Sequence, residues 1–204
     1  MNKIIFLFLI LITNNLYAQK IHLNKAKGEW QYIYPFKDKS YVLAIQYGLD
    51  EKGTNMGVRK SNIHFVKTGK KTDIVFWKEQ IDLRFIKENI TYEDYNNDNV
   101  KDLLIFSDTG GRGGNSFYYL FLIDPKNKKI SQVKNFEIVV NPEYNNKYRV
   151  IVSYGLSGSN YYSIYKIAKN KTIYKIGQDF EDTFESNPIE LDRRIRKILN
   201  KTVH

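Results

Sequence analysis

The sequence contains no cysteine. A disulfide therefore cannot cross-link the fold, and a catalytic thiol or a lipid attached through cysteine is excluded. Histidine is scarce too, and we expect His64, inside the run Ile63-His64-Phe65, to be a half-exposed strand residue rather than a catalytic base. The motifs H-E-x-x-H and G-x-S-x-G are missing. These absences predict that the protein is not an enzyme, with glycan cleavage by Glu88 and Glu93 as an alternative.

Long apolar runs are also missing. The run over residues 4–12 is too short to cross a bilayer. Lys3 precedes it, and Ala18 follows at a plausible cleavage point, so residues 1–18 are predicted to be a secretory signal peptide. The remaining chain, residues 19–204, has the length of a single domain. We therefore expect a periplasmic or secreted protein with no transmembrane segment after signal cleavage.

Positive charge is in excess, with 32 Lys and Arg against 22 Asp and Glu and a formal net charge of +10. The lysines are scattered singly along the predicted strands and turns, which indicates a solvated face rather than a nucleic-acid site. No nucleic-acid partner is expected. For an exported protein, such a charge favours anionic envelope polymers or an acidic protein as partner.

Short runs of β-branched and aromatic residues recur between turns rich in Gly, Asn and Asp. This pattern predicts an all-β fold of short antiparallel strands, propeller-like or alternatively a β-sandwich. Only the C-terminus has helical periodicity, with Asn187 as N-cap and Pro188 as the first helical residue. The expected apolar face of this one helix consists of Leu191, Ile195, Ile198 and Leu199.

One segment has the spacing of a calcium loop. Oxygen-bearing side chains stand at its positions 1, 3, 5 and 9, and calcium takes about six to eight oxygen ligands. The predicted ligands are the side chains of Asp94, Asn96, Asp98 and Asp102 and the carbonyl of Val100. An EF-hand is excluded because position 12 is Ile105 instead of Glu. The alternative is an Asx-rich turn without metal, since Asp and Asn favour turns.

This segment resembles the D-x-N-x-D-G-x-x-D loop of FG-GAP/VCBS-type repeats, known from β-propeller blades. The sequence has Asn99 where that family prefers Gly, and Asn tolerates a left-handed backbone better than most residues. The resemblance implies a bound Ca²⁺ and a propeller-like calcium-binding β domain.

A longer stretch supports a narrower resemblance. The calcium loop is followed by an apolar strand, by the glycine-rich residues 107–115, by an aromatic strand and by Asn141-Pro142-Glu143-Tyr144. This order is similar to a family of small exported bacterial proteins with one FG-GAP-like calcium loop. That family includes a periplasmic immunity protein that inhibits a lysozyme-like effector of a type IV secretion system. The resemblance covers about the C-terminal half of the chain and implies a structural calcium.

A second short motif bears on the partner. Ser157-Gly158-Ser159-Asn160-Tyr161 has the form S-G-x-x-Y found in the inserting loop of periplasmic lysozyme inhibitors. Ser157, Gly158 and Tyr161 are therefore candidate partner-binding residues, with an ordinary hairpin turn as the alternative. The sequence thus favours an exported binding protein, with a cell-wall hydrolase as its protein partner. An adhesion module that binds envelope glycan is the alternative function.

Overall fold

The computed structural model describes residues 29–48, 57–84 and 90–201, so the predicted signal peptide lies outside the described residues. The described chain is mostly β-strand, and the all-β prediction is confirmed. The strands are β1 (Glu29–Ile33), β2 (Tyr41–Tyr47), β3 (Val58–Lys67), β4 (Ile74–Arg84), β5 (Ile90–Glu93), β6 (Asp102–Gly110), β7 (Asn115–Asp124), β8 (Lys129–Gln132), β9 (Pro142–Asn145), β10 (Val150–Ser157), β11 (Ser159–Ile167) and β12 (Ile173–Glu181). One helix, α1 (Pro188–Lys201), follows them, and 3₁₀ turns occupy Gly111–Gly113 and Phe136–Ile138.

Within the described ranges the strands form three four-stranded antiparallel sheets. Strands β1 to β4 form the first sheet, β5 to β8 the second and β9 to β12 the third, and each strand pairs with its neighbours in sequence. A four-stranded meander of this kind is the unit of a propeller blade. In this structure the three meanders pack face to face, as the layers of a β-sandwich also do.

The second sheet is the centre of the molecule because both of its faces are buried. Leu103 and Phe121 on one face pack with the first sheet, through residues such as Leu43 and Phe65. On the opposite face, Leu104 and Leu120 join a cluster with Ile151 and Tyr144 of the third sheet. This explains why Leu103 to Ile105 is uninterruptedly apolar: alternate side chains of β6 enter two different cores.

The helix covers the outer face of the third sheet. Asn187 caps it, since its side-chain oxygen accepts a hydrogen bond from the Ile189 amide at 3.0 Å. Ile195 is 0% exposed and packs with β-strand residues that include Val152 and Ile164. The predicted helix, its cap and its apolar face are confirmed.

Two predicted boundaries are wrong. A separate strand is predicted over residues 83–86, but Leu83 and Arg84 belong to β4, and residues 85 and 86 lie outside the described residues. The pattern over residues 130–140 predicts one or two strands, and the structure forms one, β8, followed by a 3₁₀ turn. The break predicted at residues 141–143 is wrong, because Pro142 begins β9. These strands run further than local propensity suggests because neighbouring strands supply hydrogen-bond partners along their full length.

Candidate functional site

The loop between β5 and β6 is organised around the carboxylate of Asp94. Its oxygens accept hydrogen bonds from the backbone amides of Asn96 (3.2 Å), Asn97 (2.6 Å), Asp98 (3.3 Å) and Asn99 (2.8 Å). Asn97 and Asn99 adopt left-handed backbone conformations, with φ of 60° and 65°. The expectation that Asn99 substitutes for glycine in this turn is therefore confirmed. The local sequence alone thus closes the loop upon Asp94.

The next two predicted ligands bond to each other. The Asn96 side-chain amide donates to Asp98 Oδ2 at 2.9 Å, and Asp98 Oδ1 accepts from the Val100 amide at 2.8 Å. Asp98 is exposed at the rim of the loop, whereas Val100 is half-buried beneath it. The structure therefore gathers Asp94, Asn96 and Asp98 into one turn.

Asp102 has a role that sequence spacing did not show. It is 0% exposed, and its two carboxylate oxygens accept the backbone amides of Tyr95 and Ile123, each at 3.0 Å. The side chain therefore joins the loop to β7, across the second sheet. The pKa of Asp102 is raised to about 7, mainly by burial and to a smaller extent by the carboxylates of Asp98 and Asp94, while the hydrogen bonds from the Ile123 and Tyr95 amides lower it.

The donor set fits a hard cation in its chemistry. All five predicted ligands offer oxygen. A carboxylate oxygen that accepts one amide keeps a second lone pair for a metal, which holds for Asp94 Oδ2 and both Asp102 oxygens but not for Asp94 Oδ1, which accepts three amides. In the described part of the chain, no three His, Cys, Asp or Glu side chains form a metal-holding group. Two of the five predicted ligands are of other types, the Asn96 amide and the Val100 carbonyl. Calcium binding by these residues remains a prediction.

The predicted partner-binding residues lie on the hairpin that joins β10 to β11. Ser157 pairs with Ser159 across a one-residue tip, where Gly158 has a φ of 78° that favours glycine. Ser157 and Gly158 are exposed, and a Cβ added at Gly158 would meet nothing within 4 Å. Tyr161, two residues into β11, is 42% exposed. The structure thus brings the three predicted residues together on one protruding hairpin.

A neighbouring turn supports this hairpin. The Asn115 side chain donates to the Leu156 carbonyl at 3.0 Å and accepts the Leu156 amide at 2.8 Å. These bonds connect the turn between β6 and β7 to the end of β10. The glycine-rich turn, residues 111–114, and the hairpin, residues 157–159, are called the paired turns below. The exposed Arg112, in the left-handed region with φ 56°, belongs to them.

Asn141 makes a second connection at the same end. Its side chain donates to the carbonyls of Gly114 (3.0 Å) and Tyr154 (2.9 Å) and accepts the Ser116 amide at 2.8 Å. The sequence around Asn141-Pro142-Glu143 predicts only a break between strands. The left-handed φ of Asn141, 42°, was not apparent from sequence. The Asn-Pro pair was the one available signal of a special backbone position.

The calcium loop and the paired turns lie at opposite ends of the second sheet. Strand β6 begins at Asp102 and ends at Gly110, which separates the two ends by roughly 26 Å at about 3.3 Å per residue. Residues of the loop therefore do not contact the hairpin. The loop and the paired turns are connected through β6, which begins at Asp102, and through β7, whose Ile123 amide donates to Asp102.

Of the titratable residues weighed for catalysis, the structure describes His64, in the first sheet, and Glu93, in the second. His64 is 2% exposed, so the prediction of a half-exposed histidine is wrong. Burial lowers the pKa of His64 to about 4, and the charge of Lys78 contributes. His64 is on the outer face of the first sheet, with its ring 5.7 Å from that of Trp30. Burial also raises the pKa of Glu93, while Glu88 lies outside the described residues.

Comparison with known proteins finds a likeness to a solved structure but no matching sequence family. No protein-family model and no curated protein matches the chain. A solved structure described as that of a Xanthomonas type IV secretion system related protein is similar over 83% of this chain and 90% of that chain, with 14% sequence identity and a TM-score of 0.44. In the described ranges, α1 and the 3₁₀ turns are neither long nor apolar enough to span a membrane.

Proposed function

We propose that this is an exported, calcium-stabilised β protein that binds a lysozyme-like peptidoglycan hydrolase through its paired turns. The observation that carries the proposal is the support of the exposed Ser157–Ser159 hairpin by the two hydrogen bonds between Asn115 and Leu156. A protruding tip with small side chains enters a narrow cleft without steric conflict. Because hydrogen bonds already support the hairpin in the free protein, binding costs less conformational entropy.

The chemistry of the tip suits the cleft of such an enzyme. Lysozyme-like glycosidases hold two carboxyl groups across the cleft. The Ser157 hydroxyl can donate to a carboxylate, and the exposed Arg112 adds a positive charge on the neighbouring turn. Tyr161 provides a large exposed ring beside the tip, of the type that often anchors an interface.

The calcium loop has a supporting role in this proposal. Bound calcium would supply positive charge to the oxygens of Asp94, Asn96, Asp98, Asp102 and Val100. The chain itself closes the loop on Asp94 and joins it to β7 through Asp102. Because Asp102 is also the first residue of β6, the loop fixes the start of the strand that ends at the paired turns.

Substitution of Ser157 tests the binding surface. We expect Ser157→Glu to weaken binding of a lysozyme-like hydrolase by about 30-fold or more, because a carboxylate would face the enzyme's carboxylates. Binding would be followed by interferometry and by clearing of cell-wall suspensions. Asn146→Glu is the matched control, since Asn146 is exposed in the turn that precedes β10, at the opposite end of the same strand. Equal effects of the two variants would contradict the proposal. Retention on peptidoglycan without hydrolase binding would support the glycan-binding alternative.

Thermal unfolding tests the metal. At calcium roughly 100 times above the dissociation constant, we expect the Tm to rise by about 5 to 10 °C relative to chelator. Asp98→Ala should abolish this response, because it removes one exposed ligand. Asp124→Ala is the control: it changes another turn aspartate, which accepts hydrogen bonds from Asn127, and should leave the response intact. A wild-type protein that contains no metal and ignores calcium would refute the metal site.

A further inference from the structure

A second surface of the protein is a positively charged cleft, at the end of β10 opposite the paired turns. Its volume is about 400 Å³, and it opens between the calcium loop and the β11–β12 turn. Asn96 and Asn97 form one wall, and the other consists of residues 166–169 and Lys171. The cleft shares no residue with the paired turns, so it is a separate candidate site.

The cations of the cleft come from two chain segments. Arg149 precedes β10, and Lys166, Lys169 and Lys171 end β11 or follow it. Arg149 and Lys169 are exposed, and Lys166 is half-buried. Lys171 donates to the Ser131 hydroxyl, which holds its ammonium group towards the second sheet. The antiparallel pairing of β10 with β11 brings the first segment close to the second.

Acidic side chains are missing from the described lining of the cleft. A neighbouring carboxylate is that of Asp94: burial raises the pKa of the lining Tyr144, the charge of Asp94 contributes to this rise, and Arg149 opposes it. The Asp94 oxygens already accept four backbone amides of their own loop. They therefore do not neutralise the four cations of the cleft by direct pairing in this structure.

The floor of the cleft is rigid and mostly apolar. Tyr95 and Tyr144 are buried in it, with their rings 6.0 Å apart. The Tyr95 hydroxyl donates to the Pro142 carbonyl at 2.9 Å. Ile151 belongs to the core between the second and third sheets and also lines the cleft. The cations are thus arranged around a preformed concave surface rather than along a flexible tail.

We propose that this cleft binds a diphosphate-class oxyanion, free or as the headgroup of a lipid. Four cations around one small cavity match a ligand with three or four negative charges, which two linked phosphates carry in a compact volume. A guanidinium such as that of Arg149 binds phosphate oxygens in a bidentate manner, while lysines act as point charges. The inference depends neither on the hydrolase partner nor on bound calcium.

Calorimetry with inorganic pyrophosphate tests the proposal. The titration uses the mature chain, residues 19–204, in chelator and at low ionic strength. We expect saturable binding with one ligand per chain. Arg149→Gln combined with Lys166→Gln should weaken it by roughly tenfold or more, because two of four attractive charges are lost. The control is Lys70→Gln with Lys71→Gln, which removes the same charge from an exposed turn.

The possible results distinguish a specific diphosphate site from non-specific charge attraction, and a lipid headgroup from a soluble ligand. Equal weakening by both double variants, or no saturation of the wild type, would overturn the proposal in favour of non-specific charge attraction. Vesicles of phosphatidylcholine with and without a polyprenyl diphosphate distinguish the sources of the ligand. Retention only on diphosphate vesicles, lost with Arg149→Gln and Lys166→Gln, would assign the cleft to the lipid headgroup. Binding of pyrophosphate without vesicle retention would assign it to a soluble diphosphate.

Discussion

Replacing Asp102 with alanine is expected to lower the free energy of unfolding by about 2 to 6 kcal/mol. The substitution leaves the buried amides of Tyr95 and Ile123 without their acceptor, and each such orphaned donor costs about 1 to 3 kcal/mol. Release of the desolvation penalty on the buried carboxylate offsets part of this loss, so the net effect should lie towards the lower end of that range. The measurement is urea unfolding in chelator, where metal binding makes no contribution.

Two further variants test whether the loss of stability is specific to the buried carboxylate of Asp102. Asp102→Asn keeps one oxygen acceptor but places an NH₂ group against the other amide. Its free energy of unfolding should therefore lie between those of the wild type and Asp102→Ala. Asp98→Ala removes the same group from the exposed rim of the loop and should change stability in chelator by only about 1 kcal/mol. A cost for Asp102→Ala no larger than that of Asp98→Ala would contradict the assigned role of Asp102.

Gly177→Ala should destabilise the protein by about 2 to 5 kcal/mol. Gly177 has a φ of 69°, and an added Cβ would lie 2.6 Å from Cγ2 of Ile198 on α1. The left-handed backbone accounts for about 1 to 2 kcal/mol and the overpacking for about 1 to 3 kcal/mol. Urea unfolding, followed by near-ultraviolet circular dichroism, measures the effect and shows whether the helix remains packed.

A double-mutant cycle can separate the two causes of this destabilisation, the left-handed backbone at position 177 and the overpacking against Ile198. Ile198→Ala removes the atoms that an alanine at position 177 would meet, so the combined variant should lose less than the sum of the single variants. Gly155→Ala is the control, because the Cβ added there has its nearest neighbour at 4.0 Å and no positive φ. We expect it to change stability by less than about 0.5 kcal/mol. Strict additivity of Gly177→Ala and Ile198→Ala would refute the contact between β12 and α1.

Local sequence patterns were sufficient to predict the elements whose contacts join residues close in sequence. The Asn187 cap and the spacing of the apolar residues predicted α1 correctly. The Asp94 loop was predictable for the same reason, since its hydrogen bonds span two to five residues. The hairpin tip at Gly158 also follows from its own residues, because glycine is favoured at a left-handed turn.

Contacts between distant segments were not predictable. Asn115 bonds to Leu156, 41 residues away, and nothing in the neighbouring sequence indicates which strand it meets. His64 was predicted to be half-exposed because strand periodicity does not show that the outer face of the first sheet is also covered. The cationic cleft was missed for a similar reason. Its lysines are scattered in sequence, and only the pairing of β10 with β11 brings Arg149 close to Lys166.

The sequential order of the three sheets has a consequence for synthesis. Ribosomes make the chain from its N-terminus, so the apolar face of the first sheet, with Leu43, Ile63 and Phe65, emerges before its partner. That face stays uncovered until β8, which ends at Gln132, has been made. Nascent chains with such exposed surfaces are prone to aggregate and are typical chaperone clients. A holding chaperone should therefore bind arrested chains that end before β6 more strongly than chains that extend past β8.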